Sequence, residues 1–141
     1  MNIRAVVAED AASLSDLVEE LGYSSTAADA ARRLTALRGR DDHEVFVAVE
    51  SSRAIGFIHV CVVETLENDP YAQIRALSVG EAHRGRGIGR ELVEVAEEWA
   101  RERGLPRMRV RSNVKRERAR KFYERHGYEV TKTQNVFDKK L

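Results

Sequence analysis

The sequence predicts an α/β fold: a mixed central sheet of about six to seven strands with helices on both faces, in the order β α α β β β α β α β β. Three observations predict it. Short runs of β-branched and apolar residues alternate with longer stretches whose apolar positions recur every three to four residues. One run, Ala54–Glu64, is apolar on both of its faces, as a strand in the middle of a covered sheet must be. The most amphipathic stretch of the chain opens directly out of a glycine-rich segment in mid-chain. At 141 residues, with no repeat or long linker, one domain over 1–141 is expected.

Each element has its own local cause. Ile3–Val7 is a short β-branched run and reads as the first strand. Over Glu9–Leu21, the residues Ala11, Leu14, Leu17, Val18 and Leu21 share one helical face, and Gly22 stops the helix. Ser25 is the expected cap of a second helix that runs to about Leu37, with Ala30, Leu34 and Leu37 inward and Gly39 beyond. Val45–Glu50 and Ala54–Glu64 flank a short turn at Ser51-Ser52-Arg53 and read as an antiparallel hairpin. In the second of these strands Ile55, Phe57, His59, Cys61 and Val63 lie on one face, with Ile58, Val60 and Val62 on the other. The loop Glu67-Asn68-Asp69-Pro70 leads to a strand over Tyr71–Val79. Ile88, Leu92, Val95, Ala96 and Trp99 then mark a long helix, closed by Gly104 and Pro106. Met108–Ser112 is a strand and Glu117–His126 a helix stopped by Gly127, and Tyr128–Lys132 and Val136–Lys139 are the last two strands.

Composition narrows the function. Apolar residues make up 43%, so the chain can bury a core despite its high charge. No apolar run approaches the roughly 20 residues of a membrane span. Met1-Asn2-Ile3-Arg4 lacks the apolar stretch of a secretory signal. Cys61 stands alone, which fits a reducing cytoplasm, and no metal-ligand spacing occurs, so no metal is expected. The net charge of +1 conceals a division. Residues 1–70 hold 6 Lys/Arg against 13 Asp/Glu, and residues 71–141 hold 18 against 10. An anionic ligand for the second half and a cationic one for the first would suit this split. Nucleic acid is not the expected anion, because Glu91, Glu94, Glu97, Glu98 and Glu102 interrupt any basic stripe on the long helix.

Chemistry concentrates where the Tyr71–Val79 strand meets the long helix. From Leu77 the chain reads Leu-Ser-Val-Gly-Glu-Ala-His-Arg-Gly-Arg-Gly-Ile-Gly-Arg. Glycines at 85, 87 and 89 let backbone N–H groups approach an oxyanion closely. A helix N-terminus adds unpaired donors and the positive end of its dipole. Arg84, Arg86 and Arg90 supply formal charge. Together these are the parts of a pyrophosphate site. No Gly-Lys-Ser/Thr follows, so it is not a Walker loop, and the glycine spacing is not that of a dinucleotide fingerprint.

The run Arg84-Gly85-Arg86-Gly87-Ile88-Gly89 resembles the acetyl-CoA motif of the GNAT N-acetyltransferase superfamily, Gln/Arg-x-x-Gly-x-Gly/Ala. A second block, Ala119-Arg-Lys-Phe122-Tyr123-Glu-Arg-His-Gly127-Tyr128, resembles that family's Ala-x-x-Phe-Tyr-Glu-x-x-Gly-Phe/Tyr. The order of elements is also the family's, over nearly the whole chain. The resemblance implies the GNAT fold and an acyltransferase with acetyl-CoA as co-substrate. By the same resemblance, backbone groups of Leu77, Ser78 and Val79 bind pantetheine and polarise the thioester. Arg84, Gly85, Arg86, Gly87, Ile88, Gly89 and Arg90 hold the pyrophosphate, and Asn113 either reaches the cofactor or serves as a turn residue. Tyr123 is the implied proton donor to sulfur.

The base departs from the pattern. Many relatives place Glu where this chain has Gln73, and an amide cannot take up the proton. Glu64 is the substitute candidate, His59 is expected mainly as a core residue, and His83 as an aid to anion binding. The cluster Lys115, Arg116, Arg118, Arg120 and Lys121 is expected mostly as a solvated helix face, with one or two of its residues as candidates to reach the CoA phosphates. The closing segment Thr131–Leu141 resembles aminoglycoside 6′-N-acetyltransferase-like members. With the acidic first half, it favours a small cationic primary amine, with a protein N-terminus or lysine, or acyl-CoA binding without catalysis, as alternatives. A homodimer is a habit of the family that the residues themselves do not signal.

Overall fold

A computed structural model describes every residue from Met1 to Leu141. Its elements are β1 (Asn2–Ala5), α1 (Ala11–Glu20), α2 (Ala27–Arg38), β2 (His43–Glu50), β3 (Arg53–Val63), β4 (Tyr71–Val79), α3 (Ile88–Glu102), β5 (Met108–Val110) and α4 (Glu117–Arg125). The chain forms two compact units, Met1–Val110 and Arg111–Leu141.

The first unit holds a five-stranded sheet in the order β1-β2-β3-β4-β5. Its first four strands are antiparallel neighbours, and β5 lies parallel to β4. Five strands replace the six to seven expected, because no residue from Tyr128 to Leu141 enters a strand. Alternation makes a strand only where a neighbour supplies ladder hydrogen bonds, and the second unit supplies none. Val130, Val136 and Phe137 consequently stand exposed.

Local chemistry explains most boundaries. The expected helix from Glu9 begins as a 3-10 turn at Ala8–Asp10 before α1 starts at Ala11. Thr26, not Ser25, caps α2: its hydroxyl accepts the Asp29 N–H at 3.1 Å, and the Asp29 carboxylate accepts the Thr26 N–H at 3.3 Å. Asp29 lies three residues beyond Thr26, the capping-box spacing, which settles the choice between the two hydroxyls. The β2–β3 hairpin turns on Ser51 and Ser52, both at positive φ (52° and 62°), the backbone of a two-residue type I′ turn.

Helices cover both faces of the sheet. Leu14 and Leu17 of α1 and Leu34 of α2 pack with Val6, Val45, Val47 and Phe57. Successive strand residues face opposite ways, so Gly56 and Ile58 look to the other side, where α3 lies. A Cβ on Gly56 would come within 3.3 Å of Leu92 and 3.5 Å of Ile88. Ile58, Ile88 and Leu92 are among the most completely buried side chains of the protein. Strand β3 is thus apolar on both faces because it is covered on both.

Candidate active site

Two features of β4 create a site. Its parallel pairing with β5 covers only Ala72, Gln73 and Ile74, so the β5-side edge from Arg75 to Val79 carries no ladder. On its other side β4 is slipped by one residue, with His59 opposite Ala76 and Val60 opposite Ile74, which leaves Arg75 as a bulge. The bulge and the end of the β4–β5 ladder coincide, and there β4 departs from its neighbour.

Backbone direction on the open stretch follows from one bond. The Gly80 N–H donates to the Ile55 carbonyl of β3 at 2.8 Å. Peptide groups alternate along a strand, so those of Ser78 also face β3, and those of Leu77 and Val79 face the bare edge. The Val79 carbonyl accepts the Arg84 Nε–H at 3.1 Å. Leu77 and Val79 are therefore exposed to a ligand through their backbone. Ser78 is not: its buried hydroxyl donates to the Leu17 carbonyl at 3.3 Å, which binds β4 to α1.

Beyond Val79, a single turn at Glu81–His83 delivers the chain to Gly85 and to Gly87, the N-cap of α3. Gly87 has φ +80°, a conformation that costs any residue with a Cβ about 1–2 kcal/mol, so the sharp entry into α3 requires glycine. The opening N–H groups of α3 have no partner within the helix. Three arginines belong to the same stretch of chain. Arg84 is held by Val79, Arg86 reaches Glu50 at 2.6 Å, and Arg90 pairs with Glu94 at 3.0 Å. The hydrogen bond from Arg86 holds the Glu50 carboxyl below the usual carboxylate range. Gly85, Arg86, Gly87, Ile88, Gly89 and Arg90 lie together at the corner where the chain enters α3, although the Ile88 side chain itself belongs to the core.

Other expected site residues fall elsewhere. Glu64 is exposed just past the end of β3. Leu77 pairs with Ile58, six positions back along that strand, which is about 20 Å at roughly 3.3 Å per residue. Glu64 is thus at the wrong end of the sheet to serve the open edge, a distance that sequence proximity conceals. Gln73 is buried and faces Cys61 across the β3–β4 ladder. In the second unit, Asn113 accepts the Lys115 N–H on its side-chain oxygen at 2.9 Å, the posture of a turn residue. Tyr123 is half-buried on α4, edge-on to Phe122 and Tyr128, and burial pushes its hydroxyl up to about 12. It therefore carries its proton at neutral pH. Lys115, Arg116, Arg118, Arg120 and Lys121 are all exposed, and Arg120 pairs with Glu124 at 2.6 Å.

His43 stands beside the expected residues without any signal of its own in the sequence. Its Nδ1 lies 2.8 Å from His59 Nε2, across the β2–β3 ladder. Only the register, with Val45 opposite His59, makes the two diagonal neighbours. Period-two spacing from Val45 was the one available signal, and it says nothing about pairing.

Comparison with known proteins gives this geometry a family. A family model described as the acetyltransferase (GNAT) family matches residues 11–128. An uncharacterised N-acetyltransferase of Methanocaldococcus jannaschii is 32% identical over 95 residues, covering 66% of this chain and 42% of that protein. The chain thus spans less than half the length of that curated relative. Among solved structures, an aminoglycoside antibiotic 6′-N-acetyltransferase from Acinetobacter haemolyticus superposes with a TM-score of 0.85 at 20% identity, over 100% of this chain and 99% of that one. An aminoglycoside N-acetyltransferase in complex with CoA gives 0.87 at 18% identity, over 99% and 95%. At such identities the likeness is one of fold. The chain belongs to the GNAT acetyltransferase family. The family match runs through both compact units.

The residues present fit acetyl-CoA, the acetyl donor that membership of this family implies. A pyrophosphate finds glycine-bared N–H groups, a helix N-terminus and three arginines, and an amide-bearing arm finds a strand edge with unused backbone groups. Bound there, acetyl-CoA supplies an activated thioester.

Proposed function

We propose that residues 1–141 act as one N-acetyltransferase domain that moves an acetyl group from acetyl-CoA to a primary amine on a small cationic substrate. The amine attacks directly, without an acyl-enzyme. The observation that carries the reading is the bare edge of β4 at Leu77 and Val79, which leads straight into the glycine corner. An arm anchored by its pyrophosphate at Arg84–Arg90 would run along that edge and bring its thioester toward the bulge. A backbone N–H there would stabilise the developing oxyanion.

Charge supports a cationic acceptor, since residues 1–70 are net negative and residues 71–141 net positive. The aminoglycoside enzymes among the structural neighbours act on such amines. An alkylammonium of pKa about 10.4 must lose a proton before attack, and the thiolate must gain one. Tyr123 is proposed to give that second proton, and its raised pKa keeps it protonated for the task. Asn113 is left as a turn residue. A reducing cytoplasm is the proposed compartment, in keeping with the lone free Cys61.

Calorimetric titration with acetyl-CoA, followed by thiol release with a panel of amines, tests the proposal. The panel includes an aminoglycoside with a primary 6′-amine and a lysine peptide. The parent should bind, and Arg86→Glu and Gly87→Glu should each weaken binding at least about tenfold, the cost of a like charge or a strained N-cap. Tyr123→Phe should keep its affinity and lose about 10²-fold in kcat. A folded parent that binds no acetyl-CoA, or binds it and releases no thiol with any amine, would overturn the proposal. Turnover of the peptide alone would move the acceptor to protein.

A further inference from the structure

A proton must leave the attacking ammonium, and neither Gln73 nor Glu64 can take it: the first is an amide, and the second stands at the far end of β3. Two histidines of the first unit meet beside the bulge. His59 is the residue opposite the Arg75–Ala76 bulge of β4. Its neighbour across the other ladder is Val45, and His43 follows two positions back on the same face. The imidazoles meet at 2.8 Å between His43 Nδ1 and His59 Nε2, with ring centroids 5.1 Å apart and the planes tilted by 36°. Between His59 and the bare edge, the side chain at that level of β4 is Ala76, small and half-buried.

We propose that the His59–His43 pair is the base of the reaction, with His59 receiving the ammonium proton, directly or through one water, and His43 relaying it to solvent. This rests on the acetyltransferase reading above. In the productive tautomer the His59 Nε2–H donates to His43 Nδ1, so the His59 Nδ1 lone pair is free. Proton arrival at Nδ1 is matched by transfer of the shared hydrogen to His43, and His43 then gives up a proton from its outer nitrogen. The ammonium thereby becomes an amine, the N–C bond forms and the C–S bond breaks. The second amine proton goes to the departing sulfur. The sum is ammonium plus acetyl-CoA giving amide, CoA thiol and one proton to solvent.

The surroundings suit a relay from inside to outside. Burial, and then the nearby His43 and Arg75, push His59 down to about 4, so it is neutral at physiological pH. His43 is lowered chiefly by burial, opposed by the carboxylate of Asp42 and assisted by Arg40 and Arg75. The outer histidine is the one with a carboxylate beside it, so the charge comes to rest there. Cys61, opposite His43, is held as a thiol by burial and does not compete. His43 also lines a cleft of about 190 Å³ with Leu34, Leu37, Arg38, Arg40 and Glu44, which opens a way to solvent.

The test is the pH dependence of kcat/KM for the parent, His59→Gln and His43→Gln, with the aminoglycoside amine as acceptor and acetyl-CoA affinity measured alongside. The parent should reach a plateau above the pair's titration, below pH 6.5. Each variant should keep acetyl-CoA affinity within about twofold. His59→Gln should lose about 10²-fold at pH 7, and its rate should climb tenfold per pH unit toward the amine pKa of about 10.4, because only free amine reacts. His43→Gln, altered at a more exposed position, should show the same slope with a smaller loss. A histidine pair that merely packs would shift the rate without changing the slope. Variants that keep the parent's profile, or that lose acetyl-CoA binding with their activity, overturn the inference while the acetyltransferase reading stands. A parent inactive on every amine removes both.

Discussion

Asp10 is 5% exposed and yet ionised, and the reason lies in three donors. Arg4 Nη1 and Nη2 reach its two oxygens at 2.8 and 3.0 Å, and the Val7 N–H donates at 2.9 Å. Burial works to raise the Asp10 pKa, but these bonds and the Arg4 charge outweigh it, so the folded value lies below the usual 3.8. The sign follows: above pH 3.8 the pairing stabilises the fold in full, and the contribution is lost as pH falls through the folded pKa. Arg4→Met should cost about 1–3 kcal/mol at pH 7, since it strands a buried carboxylate. Urea midpoints should show that loss and show it shrinking in acid, where Asp10 is neutral in either state. An unchanged midpoint at pH 7 would refute the pairing's role. Neither this clasp nor the histidine pair is legible in the residues themselves. Arg4 and Asp10 are six positions apart on a strand and a turn, and His43 and His59 are sixteen apart. Sequence periodicity assigns a face, whereas contact depends on register and rotamer.

At the level of elements, α3 must seat its first turn against β3 for the glycine corner to point at a ligand. Gly56 makes that seat possible, because a Cβ there would meet the Ser78 carbonyl at 3.1 Å as well as Leu92 and Ile88. The carbonyl is fixed in the β3–β4 ladder and cannot yield as a side chain can. Gly56→Ala should therefore destabilise by about 1–3 kcal/mol, the range for overpacking a filled core. Acetyl-CoA affinity should fall with it, because α3 is displaced at its N-terminus. A variant as stable as the parent would show the contact to be slack. Most elements were legible because each carries its own cause: β4 matches its expected span of Tyr71–Val79, and α3 begins at Ile88 as its stripe required. The misread cap of α2 turned on Asp29, whose spacing selects Thr26 over Ser25.

Across the whole molecule, the second unit leaves Val130, Val136 and Phe137 exposed at 62%, 83% and 89% on a segment that alternates like a strand but has no ladder. Exposed apolar residues with unused backbone groups invite a partner, and we propose that a second copy of the chain provides it. Light scattering should give twice the 16.0 kDa of one chain, and Val136→Asp with Phe137→Asp should return it to one. A monomeric parent at all concentrations would discard the dimer. The sequence by itself determined the α/β class, the span of most elements and the strand-to-helix corner on which the proposed cofactor site rests. Those rest on short-range causes: periodicity within an element, glycine at a strained turn, charge beside a helix N-terminus. Only the tertiary structure decided that β4 bulges at Arg75 where β5 leaves it, that Ser78 turns its back on the open edge, that Glu64 stands about 20 Å along β3 from the partner of Leu77, and that two histidines meet beside the bulge. Each of these depends on which strands are neighbours and in what register, a choice made by the packing of the whole core rather than by any local run of residues.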